Sequence, residues 1–199
     1  MSLCQRRRLT SLFRFTVLLL PLSISLFVIS ELSWAQLPHY PLQSRINSCG
    51  AAALAAVLQS FGRVSLDEHD LWRWAQQDYR YASTDIPATG LSFADLKRLS
   101  HRAGLSATGV RVPVDALRSL PTPAIIRLAS RPLPHFVVLW QLQGRVAQVF
   151  DPAIGNHWVD IESLTAHNRS TGDKLSALIV ATVTSDESLP PWEPSASLE

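Results

Sequence analysis

The sequence predicts an α+β domain in which helices come first and an antiparallel sheet follows. Three observations lead to this. Between Ser48 and Gly104 the chain carries helix starts and stops at helical spacing. After Gly104, short runs rich in β-branched residues take over, at 106–112, 123–128, 135–142, 145–150 and 175–184. The two kinds of element are segregated along the chain, which separates an α+β domain from an alternating parallel one.

Gln36 to Asn47 is an irregular lead-in containing Pro38 and Pro41. Ser48-Cys49-Gly50 then opens an Ala- and Leu-rich run, Ala51 to Phe61, that stops at Gly62 as helices commonly do. Ser65 followed by Glu68 fits a capping box for a second helix reaching about Gln77. Residues 78–90 are polar and irregular. With Tyr79, Tyr81 and Asp85 they are candidates for lining a groove, as is the Trp72–Trp74 region, although ordinary packing is the plainer role for both. Ser92 followed by Asp95 caps a third helix to about Ala103, and its Phe93, Leu96 and Leu99 recur at the spacing of a core-facing stripe. In the second half Gln143-Gly144 reads as a hairpin turn between two strands, the second of which ends at Asp151-Pro152. From Ser185 the chain is rich in proline and has little to bury, so a mobile tail is expected.

The chain has 199 residues, enough for one domain with its own core. Net charge is +2, and Arg6, Arg7 and Arg8 account for the excess, so the body is close to neutral and offers nucleic acid nothing to bind. Those arginines precede an apolar run from Phe15 to Ile29, and Ser33-Trp34-Ala35 sets small residues where a signal peptidase reads. Residues 1–35 are therefore expected to be a signal peptide or an uncleaved membrane anchor. A span needs about 20 apolar residues, which Pro21 interrupts. Either way the body, residues 36–184, is expected outside the cytoplasm, touching membrane only through that segment. It then keeps a single thiol, Cys49, because Cys4 lies in the export segment. A lone thiol in a disulfide-forming compartment is either a small buried hydrophobe or a reactive group.

The position of Cys49 favours reactivity. It stands where an irregular segment enters a helix, and the positive end of the helix dipole favours thiolate there. Gly50 follows, leaving little bulk against an approaching peptide. Gln43, six positions earlier, can join the Cys49 amide as an oxyanion hole in acyl transfer. His135 opens an apolar strand, and the hairpin brings the end of the next strand, Asp151, back beside it. A carboxylate there can hold one imidazole nitrogen while the other faces the thiol. Taken singly, each has an ordinary reading: a structural cysteine, a loop glutamine, a surface histidine, a turn aspartate before proline. No His-x-x-x-His pair and no second mature cysteine supports a metal site, so neither metal nor cofactor is expected. A thiol redox protein would want a second cysteine nearby.

Gln43-Ser-Arg-Ile-Asn-Ser-Cys49-Gly-Ala-Ala-Ala-Leu-Ala resembles the cysteine motif of the C39 peptidases, papain-like enzymes best known as N-terminal domains of bacteriocin exporters. Thr89-Gly90-Leu91-Ser92, with Leu96 and Ala103-Gly104-Leu105, is similar to the middle helix motif of that family. His135-Phe-Val-Val-Leu resembles its histidine motif and Asp151-Pro-Ala-Ile-Gly155 its aspartate motif. The likeness covers roughly residues 40–165. It implies a papain-like fold and a cysteine endopeptidase, with Cys49 as nucleophile, His135 as base, Asp151 as the orienting carboxylate and Gln43 in the oxyanion hole. Exporter-linked members cut after a double-glycine leader in the cytoplasm. This chain is expected to be a stand-alone exported form acting on an exported peptide or protein. Stand-alone members that look like it accompany secretion systems for surface fibres, so a secretion-system component is an expected partner. The alternative, kept open by the sequence, is a non-catalytic peptide-binding or secretion-accessory module on the same fold.

Overall fold

The computed structural model describes residues 39–182, apart from 64, 78–85, 87, 130–133 and 173. The N-terminal segment expected to direct export, the Tyr79–Asp85 stretch and the proline-rich tail lie outside the described residues. Three helices come first: α1 (Cys49–Ser60), α2 (Glu68–Gln77) and α3 (Phe93–Arg102). Strands β1 (Leu105–Val112), β2 (Ala124–Leu128), β3 (His135–Gln143), β4 (Val146–Asp151) and β5 (Gly155–Asp160) follow, with a short 3₁₀ turn at Val114–Ser119. Helix α4 (Ile161–Thr171) and strand β6 (Leu175–Thr182) close the domain. The six strands form one antiparallel sheet in the order β1-β6-β2-β3-β4-β5. Among the described residues no helix is long and apolar enough to cross a membrane.

Both faces of the sheet are covered, which explains why its central strands read as unbroken apolar runs. Along β3, Phe136 and Val138 point into the core beneath α1–α3, joined there by Phe150 of β4, Ile125 of β2 and Leu178 of β6. The alternate residues Val137, Leu139, Val149, Ile126 and Ala177 point into a second core under α4 and the 3₁₀ turn. Helix α1 is buried from Cys49 to Leu58, as an all-apolar central helix must be. Gly50 lets it sit close: a Cβ there would lie 3.3 Å from a Phe136 ring carbon and 3.5 Å from Leu96. The residue that looked like an opening for substrate is thus a packing residue, and it presses the start of α1 onto the strand that begins with His135.

The third helix has the expected capping box, Ser92 with Asp95. The second does not use Ser65 and Glu68. Its cap is Asp67, whose Oδ1 accepts from the Asp70 amide at 2.8 Å while Asp70 accepts from the Asp67 amide at 3.4 Å. The same three-residue spacing is available from either start, and Asp67, two residues beyond Ser65, is the one that directly precedes the helix. Strand β5 and α4 were not legible as elements. Gly-Asn-His-Trp-Val-Asp is too polar to signal an edge strand, and α4 is interrupted by Thr165, Asn168 and Thr171, poor helix formers. The end signals are nonetheless sound: Asp160 accepts from the amides of Glu162 and Ser163 at 2.9 and 3.2 Å, and Gly172 terminates the helix in the left-handed region.

Candidate active site

The lead-in is anchored by Tyr40, buried against the stacked ring of Trp140 and the edge of Phe150, with ring centroids 5.3 and 5.4 Å away. From there the chain passes the sheet edge, where the Gln43 amide donates to the Pro152 carbonyl at 2.8 Å. It then turns into α1. Ser48, directly before the helix, does not cap it: its hydroxyl donates to the Arg45 carbonyl at 2.9 Å and accepts from the Arg45 amide at 3.1 Å. The Ser48 side chain therefore takes none of the first amides of α1, and Cys49 starts the helix as a buried thiol outside any disulfide.

On the sheet side the β3–β4 ladder runs through Val138↔Phe150, with a bulge between Leu139 and Gln141. One step further brings Asp151 level with Val137, diagonal to His135. The Asp151 carboxylate bridges that diagonal, its Oδ1 meeting His135 Nε2 at 2.7 Å and accepting the Ala153 amide at 2.8 Å. The aspartate is thus both a turn former and the partner of the imidazole. The Cys49 thiol also interacts with the His135 imidazole and favours its charged form. His135 thus stands between the Asp151 carboxylate, to which it is hydrogen-bonded, and the Cys49 thiol, which acts on its charge in the same direction. Gln43 is attached to this set through the main chain at Pro152, not through a side-chain contact with any of the three.

The electrostatics follow from that arrangement. Burial disfavours the imidazolium, but the hydrogen bond to Asp151, with the nearby carboxylate charge and the Cys49 thiol, outweighs it and raises His135 to about 9. Burial likewise pushes Asp151 up, and the bonds from His135 and the Ala153 amide, with the charges of His135 and His157, bring it below its ordinary value. The sign for stability is fixed by this: His135 is raised above the ordinary 6.5, so its paired imidazolium stabilises the fold fully below that pH and loses the contribution as pH rises through about 9.

The Gln43 side chain donates through Nε2 to the Arg45 carbonyl at 2.8 Å, which fixes which end of the amide is nitrogen. One Nε2 hydrogen remains for a further acceptor. The Oε1 is buried without a partner among the described residues. Beside His135 a groove of ≈ 280 Å³ is lined by residues including Thr89, Leu91, Phe93, Pro134 and Phe136. Gly90 ties its wall to the Cys49 loop: its φ is +78°, and a Cβ there would lie 2.2 Å from the Asn47 carbonyl oxygen. Residue 90 must therefore be glycine. Leu42, Ile46 and Ile154 stand exposed around the Gln43–Pro152 junction. Trp72 and Trp74 do not line the groove. Trp72 is buried, Trp74 packs against the same core, and arginines cover both rings.

A thiol at the start of a buried helix, an imidazole leading a neighbouring strand and helices preceding an antiparallel sheet together place the molecule among the papain-like cysteine peptidase folds. Within that class the chain belongs to the Peptidase C39 family, whose model matches residues 38–169. It is 39% identical over 110 residues to the probable functional amyloid protease FapD of Pseudomonas aeruginosa, a match covering 55% of this chain and 47% of that protein. The chain thus spans about half the length of that relative. The crystal structure of a double glycine motif protease from an AMS/PCAT transporter, in complex with the leader peptide, superposes with a TM-score of 0.53 at 22% identity, covering 74% of this chain and 94% of that one. The peptidase domain of Streptococcus ComA superposes with a TM-score of 0.58 at 16% identity, over 74% and 100%. Both likenesses bear on the fold.

Proposed function

We propose that the protein is an exported cysteine endopeptidase that cuts an extended segment of another exported peptide or protein. The observation that carries this is the His135–Asp151 hydrogen bond, with the Cys49 thiol acting on the same imidazole, in a C39-family fold. In the reaction His135 takes the Cys49 proton and the sulfur attacks the scissile carbonyl carbon. Charge develops on the carbonyl oxygen, which accepts from the Cys49 amide and the second Gln43 Nε2 hydrogen. As the intermediate collapses the C–N bond breaks and His135 gives its proton to the leaving amine. Water, deprotonated by His135, then adds to the thioester and releases the acid, restoring the thiol. Asp151 keeps the imidazole turned towards the sulfur and stabilises its cation.

The groove beside His135 and the exposed Leu42, Ile46 and Ile154 support a peptide laid across the site with apolar side chains. The leader peptide bound to the double glycine motif protease, and the amyloid protease name of the Pseudomonas relative, support a secretion substrate. Cleavage is tested by incubating the protein with a mixture of extended peptides, including double-glycine members, and reading new termini by mass spectrometry. Cuts with a shared local sequence are expected, and an uncut mixture contradicts the proposal. The basic and apolar N-terminal segment supports an extracytoplasmic site. N-terminal sequencing of the expressed protein is expected to begin at Gln36 in the exported fraction, whereas full-length protein confined to the cytoplasm contradicts export.

The charge state of His135 predicts the alkaline limb of the pH profile. The leaving amine needs the imidazolium, so kcat/KM for the best-cut peptide is expected to fall near pH 9. Asp151→Asn removes the charge that holds His135 up and is expected to move this limb down towards 6.5. A limb unmoved by that substitution makes Asp151 a turn residue only.

A further inference from the structure

Glu68 stands in the first turn of α2, yet the helix is capped by Asp67 and Asp70 without it. Its carboxylate instead reaches back 24 residues to Ser44, Oε2 accepting from the Ser44 amide and Oε1 from the Ser44 hydroxyl, each at 2.8 Å. Ser44 follows Gln43 directly, and the Ser44 amide belongs to the same peptide unit as the Gln43 carbonyl. Holding that N–H therefore fixes the backbone torsion that aims the Gln43 side chain. The next residue is held from the same helix, the Arg45 guanidinium lying 5.5 Å from the centre of the Trp72 ring, one turn beyond Glu68. Arg45 in turn supplies the carbonyl on which Gln43 Nε2 hangs, at 2.8 Å. The Pro152 carbonyl fixes the other side of Gln43.

We infer that Glu68 is a positioning residue for the candidate oxyanion donor: through Ser44 it sets the direction in which Gln43 presents its free Nε2 hydrogen. The inference rests on the reading of Gln43 given above. Magnitudes favour a geometric role over a stabilising one. The bonds lie at the surface, where a charged contact adds little to stability. A donor displaced by about 1 Å, by contrast, can cost about 10²-fold in rate. Ser48 holds Arg45 and the Pro152 carbonyl holds the Gln43 amide, so what Glu68 adds is the orientation of the Gln43–Ser44 peptide unit between those two points.

The test is a double-mutant cycle on kcat/KM for the best-cut peptide, with Cys49 alkylation and the melting temperature measured alongside. Gln43→Ala is expected to lower kcat/KM by about 10²–10³-fold. Glu68→Ala is expected to lower it by about tenfold through kcat, with KM and the Cys49 alkylation rate nearly unchanged. In the Gln43→Ala background the same change is expected to cost almost nothing, because the donor it aims is gone. Glu68→Gln, which still accepts from the Ser44 amide, is expected to recover most of the rate, and Ser44→Ala to lose part of it with Glu68 intact. Full additivity of the two alanine changes, or a Glu68→Ala enzyme with wild-type turnover while Gln43→Ala is slow, overturns the role of Glu68 alone. A Gln43→Ala enzyme with wild-type turnover overturns the oxyanion reading and this inference together.

Discussion

Replacing Cys49 by alanine is expected to abolish peptide cleavage and to leave the fold in place. The loss is expected to be about 10⁶-fold in kcat, since removing the nucleophile of a catalytic set costs about as much as removing the whole set. The fold is expected to survive because the site is buried in an alanine-rich helix, and the change deletes one sulfur atom. Its stability cost is expected to be about 1 kcal/mol. The variant keeps the groove residues and is expected to bind peptide as the unaltered protein does. A Cys49→Ala protein that cuts at the wild-type site would place the nucleophile elsewhere. One that binds peptide as the wild type does, with a wild type that never cuts, would make the protein a binding module.

His135→Ala is expected to cost nearly as much, and to add almost nothing to Cys49→Ala. The proposed mechanism makes thiol and imidazole one unit, in which loss of the ring removes both the acceptor for the thiol proton and the donor for the leaving amine. The substitution leaves Asp151 with the Ala153 amide as a partner, so the carboxylate is not stranded and the turn at Pro152 holds. Kinetics on the single and double variants check this. A His135→Ala enzyme within about tenfold of wild type contradicts the unit, because general acid–base help alone contributes about 10²–10⁴-fold.

The parts of the molecule legible in the sequence are those where local chemistry and tertiary packing agree. Ser92 and Asp95 cap α3 as their spacing dictates. The apolar runs of β2, β3, β4 and β6 become strands because the sheet is covered on both faces. The hairpin at Gln143-Gly144 alone brings His135 and Asp151 within reach, so that pairing follows from turn chemistry and register. Illegible parts depend on contacts distant in sequence. Gly50 is explained by the Phe136 ring, and Gly90 by the Asn47 carbonyl. Glu68 looked like a capping partner because Ser65 has the right spacing, whereas its true partner, Ser44, lies 24 residues away. Strand β5 is polar and at the sheet edge, so its pairing with β4 leaves no hydrophobic period to read.

The central claim is that Cys49 and His135 work as an activated pair. Its most direct test is the rate of alkylation by iodoacetamide at neutral pH, followed by intact mass. The test uses a Cys4→Ser variant, because Cys4 is the second cysteine of the sequence and Cys49 is then the one remaining thiol. The pair predicts rapid addition of a single group at Cys49, slowed at least about tenfold in His135→Ala. Labelling at the rate of a simple free thiol, with the same rate in His135→Ala, would contradict it.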